Sequence, residues 1–119
     1  MGNSIFVVKF DSSIQELVVS LRYAGFFVEF ESNNCWNAYA SIKKLQPSAV
    51  VISFLKNQKQ CKELVRNLRS SGSTSYVPIL ALDTSLFVKK MINDIPNVHF
   101  TTESGVAIIM QFQLELQLA

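Results

Sequence analysis

Pro47-Ser48-Ala49-Val50-Val51-Ile52-Ser53 is the stretch on which the fold turns. Ala49 to Ile52 is apolar throughout, with none of the alternation that a strand wetted on one face would show. A run this short and this apolar predicts a strand buried on both faces, and such strands belong to parallel sheets covered by helices. The flanking sequence carries the same message. Upstream, Ile5 to Phe10 is a β-branched and aromatic run too short for a helix, and it ends at Asp11-Ser12-Ser13. Ser13 and Glu16 have capping-box spacing, Ile14, Leu17, Val18 and Leu21 share one helical face, and Gly25 stops the helix. Phe26 to Phe30 reads as a second strand, with Glu29 and Glu31 at or near its solvent-facing end. From about Asn34 to Leu45, Ala38, Tyr39, Ile42 and Leu45 recur at helical spacing, and that segment stops before Pro47.

Downstream, Gln60 to Arg69 predicts a helix built on Cys61, Leu64, Val65 and Leu68. Ser70 to Ser75 is a loop, and Val77 to Leu82 is a fourth buried strand with Pro78 at its permissive start. Leu86 to Asn93 has length for two helical turns, and Val98 to Thr101 for a short fifth strand. Ser104 to Ala119 alternates like a strand at Phe112, Leu114, Leu116 and Leu118, and fits a helix at Val106, Ile109, Met110, Gln113 and Leu114. Its wealth of Gln, Leu, Glu, Met and Ala favours the helix. Strand and helix thus alternate five times. Right-handed crossovers fold such a chain into a three-layer α/β sandwich, expected as one domain over 1–119, with functional groups just past the carboxyl ends of the strands.

Composition narrows the function classes. The chain has 119 residues, 49% hydrophobic and 17% charged, with a formal net charge of +2, and a mean hydropathy of +0.23. That suffices for a real core and argues against disorder. So little charge also leaves weak colloidal repulsion, which predicts that some apolar surface meets a partner or a second copy. The longest apolar runs fall far short of the roughly 18–20 residues of a membrane span. The start of the chain lacks the pattern of a signal peptide, so a cytoplasmic address without membrane contact is expected. Cys35 and Cys61 form no CxxC and have one histidine for company, which suggests neither zinc nor a disulfide framework and leaves two unpaired thiols. With four glycines in all and Lys9-Phe10-Asp11-Ser12-Ser13 after the first strand, there is no phosphate-binding glycine loop. No nucleotide or other cofactor is expected.

Segment by segment the chain resembles the receiver domain of two-component response regulators, above all the single-domain chemotaxis type. The likeness rests on Ile5-Phe6-Val7-Val8, the helix ending at Gly25-Phe26, Pro47 to Ile52, and Val77-Pro78-Ile79-Leu80-Ala81-Leu82. It runs from Ile5 to Leu82 almost without gaps, and the fifth strand then requires a deletion of about three residues by that alignment. The resemblance implies a flavodoxin-like fold with strand order 2-1-3-4-5. It also implies chemistry: an aspartate ending the third strand that accepts a phosphoryl group, two acids after the first strand that hold Mg²⁺, a Ser or Thr ending the fourth, and Lys-Pro ending the fifth.

This sequence departs from the family at each of those places. Ser53 stands in the phosphoacceptor slot, and a serine hydroxyl is a far weaker nucleophile source at neutral pH than an ionised carboxylate. Lys9 and Phe10 replace the acids, so Mg²⁺ would meet an ammonium where it needs hard oxygen ligands. Asp83 takes the Ser/Thr slot, Thr102 the lysine slot, and Glu103 the place of the proline. The expectation is a pseudo-receiver without a catalytic or metal site, in which Lys9 fills the metal's place and pairs with Asp83 or Asp11. The alternative is three loop charges pointing to water.

Other residues are weighed in the same way. His99 falls near the aromatic switch position of true receivers, but without a nucleophile or second ligand nearby it is expected to be structural. Trp36 and Tyr39 read as packing or as part of a contact surface. Lys56, Lys59, Lys62, Arg66 and Arg69 make the third helix and its approach basic, as a solvated face or a dock for an acidic protein. Aromatics for base stacking are not interleaved with them, so nucleic acid is expected only through an attached output domain. The family's dimer and output surface corresponds here to Leu86, Phe87, Val88, Ile109, Met110, Phe112 and Leu116, within a last segment too apolar for one buried stripe. The expected function is phosphorylation-independent binding of a protein partner or of itself, as a homodimer through the last helix or as the regulatory domain of a larger response regulator. Two alternatives are an unconventional phosphoacceptor modified at Ser53 and a small flavodoxin-like cofactor binder using Cys35 or Ser53.

Overall fold

A computed structural model describes residues 3–118, with side chains through residue 112. The elements are β1 (Ser4–Val8), α1 (Ile14–Tyr23), β2 (Phe27–Glu31), α2 (Cys35–Leu45), β3 (Ala49–Ser53), α3 (Gln58–Ser70), β4 (Ile79–Leu82), α4 (Leu86–Ile92), β5 (Val98–Phe100) and α5 (Glu103–Leu118). The strands form one sheet in the order β2-β1-β3-β4-β5, and all of its pairings are parallel. This is the flavodoxin-like arrangement expected from the resemblance.

Strand alternation divides the core into two layers. Ile5 and Val7 of β1, Ala49 and Val51 of β3, and Leu80 and Leu82 of β4 pack with Ile14, Leu17, Val18 and Leu21 of α1 and with Val106 and Met110 of α5. Phe6, Val8, Val50, Ile52, Ile79 and Ala81 point the other way, against α2, α3 and α4. β3 is buried along its whole length, as its unbroken apolar run required. β2 lies at one edge of the sheet, where Glu29 is exposed; a charge on an edge strand discourages further strand pairing.

Several boundaries differ from the sequence reading for identifiable reasons. Ser13 caps nothing with its side chain. Asp11 does that work, accepting both the Ser13 amide at 2.9 Å and the Ser13 hydroxyl. β4 begins at Ile79 because the Val77 amide turns back to the Thr74 carbonyl, while the Pro78 carbonyl still accepts from Val50. Gly25 ends α1 as expected, with φ near +100°, a conformation that costs glycine little. The last segment is helical, so its strand alternative is lost. The side chains of Leu114, Leu116 and Leu118 lie outside the described residues.

Arg69 is more than a charge on a basic face. Its Nε donates to the Pro96 carbonyl at 2.9 Å, Nη1 to Thr74 at 3.2 Å, and Nη2 to Val77 at 2.7 Å and Asn97 at 3.0 Å. The guanidinium thereby ties the end of α3 to the loops that lead into β4 and β5. Desolvation lowers its pKa, but an arginine remains charged all the same.

Candidate functional site

The carboxyl ends of the strands are where this architecture places chemistry, and alternation along β1 decides what arrives there. Ile5 and Val7 face the α1/α5 layer, so Lys9, two residues further on, faces it too. It meets the first residue of α5: Lys9 Nζ donates to Glu103 Oε1 at 2.7 Å. The lysine is only 5% exposed, whereas the Glu103 side chain remains 46% exposed. Burial alone would pull the ammonium's pKa down. The hydrogen bond to Glu103, together with the negative charges of Glu103, Asp11 and Asp83, outweighs burial and raises it above the ordinary 10.5. Glu103 also sits in the first turn of α5, where the helix dipole favours a carboxylate.

The pairing of Lys9 with Asp83 or Asp11 expected from sequence is therefore corrected, because both acids are engaged elsewhere. Asp83 adopts a left-handed backbone with φ +57°, and its Oδ2 accepts the Ser53 hydroxyl at 2.6 Å. Asp11 is held by Ser13, and that side-chain hydrogen bond, against desolvation and helped by the Ser13 amide and the charges of Lys9 and Lys56, keeps its pKa below the ordinary 3.8. Each acid acts on Lys9 through its field and not by contact.

Ser53 ends β3, is 2% exposed, and also accepts the Leu55 amide at 3.3 Å. A hydroxyl against a carboxylate pairs a nucleophile with a base, but here the hydroxyl is buried and already committed to Asp83, whose own side chain is exposed. Phe10 points to the opposite layer, half-buried against the α2–α4 side of the core. Thr102 is exposed, and its hydroxyl accepts the Gly105 amide at 3.3 Å and contacts Ser104 Oγ at 3.1 Å, so it caps α5 and does not turn to Ser53 or Lys9. Lys9, Ser53 and Asp83 thus come together with Asp11 nearby, and Phe10 and Thr102 do not join them. Glu103 is the member that sequence reasoning passed over as a replaced proline. Its signal was the first-turn position of α5, combined with the Ile5-Val7-Lys9 alternation.

The candidate interaction surface also divides. Leu86 and Phe87 are 71% and 68% exposed, and Ile108 and Phe112 are 68% and 61% exposed. Val88 and Met110 are buried in the core, which corrects their assignment to the surface: helical periodicity turns both toward the sheet. Ile109 is half-buried against the α1/α5 layer, and the Leu116 side chain lies outside the described residues. On β5, His99 is exposed, with Nε2 2.8 Å from Asn97 Oδ1, and the Lys89 ammonium lies over the Phe100 ring at 5.7 Å. Trp36 is exposed and packs tilted on Tyr39, with centroids 6.2 Å apart. Arg66 makes an exposed 3.6 Å pair with Asp94. Among the described residues no group of three or more His, Cys, Asp or Glu is arranged to hold a metal ion, and no helix is long and apolar enough to cross a membrane.

No family model matches the chain, and no curated protein matches it. Solved structures do. The chemotaxis protein CheY4 of Vibrio cholerae matches with a TM-score of 0.76 at 20% identity, over 94% of this chain and 95% of that one. The receiver domain of a sensor histidine kinase of Pseudomonas aeruginosa, a structure with a magnesium ion coordinated in its active site cleft, gives 0.78 at 18% identity over 97% and 99%. The N-terminal domain of a response regulator receiver protein of Methanoculleus marisnigri gives 0.70 at 14% over 98% and 96%. Likeness at such low identity speaks for architecture alone, and on that ground the chain has the fold of response-regulator receiver domains.

Proposed function

We propose that this chain is a pseudo-receiver, a cytoplasmic signalling module that binds other proteins or itself without being phosphorylated. The observation that carries the proposal is the Lys9–Glu103 ion pair at the strand ends. By the resemblance, acids after the first strand would hold Mg²⁺ and a lysine would end the fifth. Here the signs are exchanged, with the ammonium after β1 and the carboxylate after β5. The donors do not fit Mg²⁺, which needs several hard oxygen ligands: Asp11 and Asp83 are taken up by Ser13 and Ser53, and Lys9 brings a positive charge. The reading therefore includes neither Mg²⁺ nor a phosphoryl intermediate, nor any other cofactor. Incubation with acetyl phosphate and Mg²⁺ should leave the intact mass unchanged. An acid-labile, Mg²⁺-dependent phosphate would sink the proposal.

The exposed apolar side chains of α4 and α5 on either side of β5 support self-association or a protein partner at that edge, with nucleic acid reached only through an output domain if one is attached. Light scattering at high micromolar concentration should give a dimer, and a monomer would remove the self-association half of the proposal. Modification at Ser53 is disfavoured by its burial and its bond to Asp83. A serine kinase that adds phosphate to the folded chain, but not to Ser53→Ala, would restore that alternative.

A further inference from the structure

The two cysteines, 26 positions apart in sequence, come together across the α2/α3 boundary. Cys61 is buried in α3, and Cys35, the first residue of α2, is half-buried against the same core cluster. Cys35 also lines an open groove of about 530 Å³, together with Phe10, Trp36, Gln60 and Leu64. Gln60 and Leu64 flank Cys61 on α3, so the groove gives solvent a route to the Cys35 sulfur directly beside the second thiol. Cys61 Sγ is close to two carbonyls, that of Ser53 at the end of β3 at 3.4 Å and that of Lys56 in the β3–α3 connection at 3.6 Å. We propose that Cys35 is a peroxide-reactive thiol and Cys61 its resolving partner, so that oxidation closes an intrachain disulfide between α2 and α3.

The protonation states suit these roles. The hydrogen bond from Cys61 lowers the Cys35 pKa, against desolvation and the charges of Glu63 and Glu31, and the start of a helix adds to the stabilisation of a thiolate. The hydrogen bond with Cys35, burial and the Cys35 charge push Cys61 strongly up, so it is held as the thiol. In the first step the Cys35 thiolate attacks one peroxide oxygen. An S–O bond forms, the O–O bond breaks, and the departing hydroxide takes a proton to become water; sulfur is oxidised by two electrons and peroxide is reduced by two. Formation of the neutral sulfenic acid removes the charge that helped keep Cys61 protonated. Cys61 then loses its proton and attacks the Cys35 sulfur, forming S–S and releasing the S–O oxygen as water. Cys61 also ceases to be a donor to Ser53 and Lys56, so oxidation reaches the segment that ends β3.

The test uses the full chain, reduced and then treated with hydrogen peroxide. The intact mass should fall by two hydrogens, both thiols should be lost to maleimide, and a reductant should reverse the change. Cys35→Ser should abolish the mass loss and leave Cys61 unreactive in the native protein. Cys61→Ala should stop the reaction at a dimedone-trappable sulfenic acid on Cys35. If the buried Cys61 variant fails to fold, the wild type and Cys35→Ser decide alone. A wild type that keeps both thiols, a product joined between two chains through Cys35, or undiminished mass loss in Cys35→Ser would each overturn the proposal.

Discussion

The two ends of the sheet are each held by one basic side chain, and the two attachments are opposite in kind. At the amino ends of β4 and β5, Arg69 spreads its guanidinium over four neutral carbonyls. At the carboxyl ends, Lys9 commits its ammonium to a single carboxylate on another element. The first arrangement is structural: a delocalised fork satisfies loop carbonyls and keeps its charge at any ordinary pH. The second is an ion pair with one buried and one half-exposed partner, so it can be broken by pH or by a single substitution. The difference locates the adjustable end of the molecule, which is also the end where receiver-fold chemistry would lie.

The largest expected effect falls on the structural end. Arg69→Ala should destabilise the protein by about 3 kcal/mol, since it strips charge-assisted hydrogen bonds from several loop carbonyls at once. Arg69→Lys should recover only part of that loss, because a point charge cannot serve the same fork. Urea unfolding measures both, and a loss below about 1 kcal/mol in Arg69→Ala would erase the contrast between the ends.

Glu103→Ala comes next, at about 2 kcal/mol. It leaves a buried ammonium without its partner, moderated because Glu103 is half in water. Lys9→Met should cost less than about 1 kcal/mol, because the abandoned carboxylate can hydrate while the methionine packs with the α1/α5 layer. If Lys9→Met is the more damaging of the two, the ion pair contributes more than its desolvation takes away.

The pH dependence carries the same asymmetry. The Lys9 pKa is raised on folding, so the unfolded chain releases that proton first. The stabilisation is complete below about 10.5, the unfolded value, and is lost as pH rises through the higher folded value. Melting temperature against pH on the alkaline side should show this fall in the wild type and a flatter course in Lys9→Met. The smallest effect on stability, within about 0.5 kcal/mol, is expected for Phe87→Ser and Ile108→Ser. Both should nevertheless weaken association in light scattering.

Much of this architecture is legible in sequence because burial leaves a pattern. Ala49 to Ile52 could satisfy only a doubly covered strand, and five such switches of period left few alternatives to a parallel sheet. The strand ends were legible in position and not in pairing. Lys9, Ser53 and Asp83 fall where counting along the strands puts them, but the choice of Glu103 over the two aspartates depends on side-chain hydrogen bonds that sequence spacing does not encode. Ser13 had already taken Asp11, and Ser53 had taken Asp83. The surface residues failed differently: Val88 and Met110 are as apolar as their exposed neighbours Phe87 and Ile108, and only the phase of each helix against the sheet separates them. Arg69 looked like one more charge in a basic run because its partners are backbone carbonyls, which have no sequence signature.

The Lys9–Glu103 contact joins positions 94 apart in the chain, which gives it a place in time as well as in space. On a ribosome, β1 and β3 can pair long before α5 emerges, and until then the Lys9 ammonium waits at the end of a growing sheet without its counter-charge. During synthesis the bond is therefore among the last to form; if refolding keeps that order, the contact is absent from the transition state and slows unfolding without hastening folding. Glu103→Ala should leave the refolding rate almost unchanged and speed unfolding by about thirtyfold, the kinetic equivalent of its 2 kcal/mol.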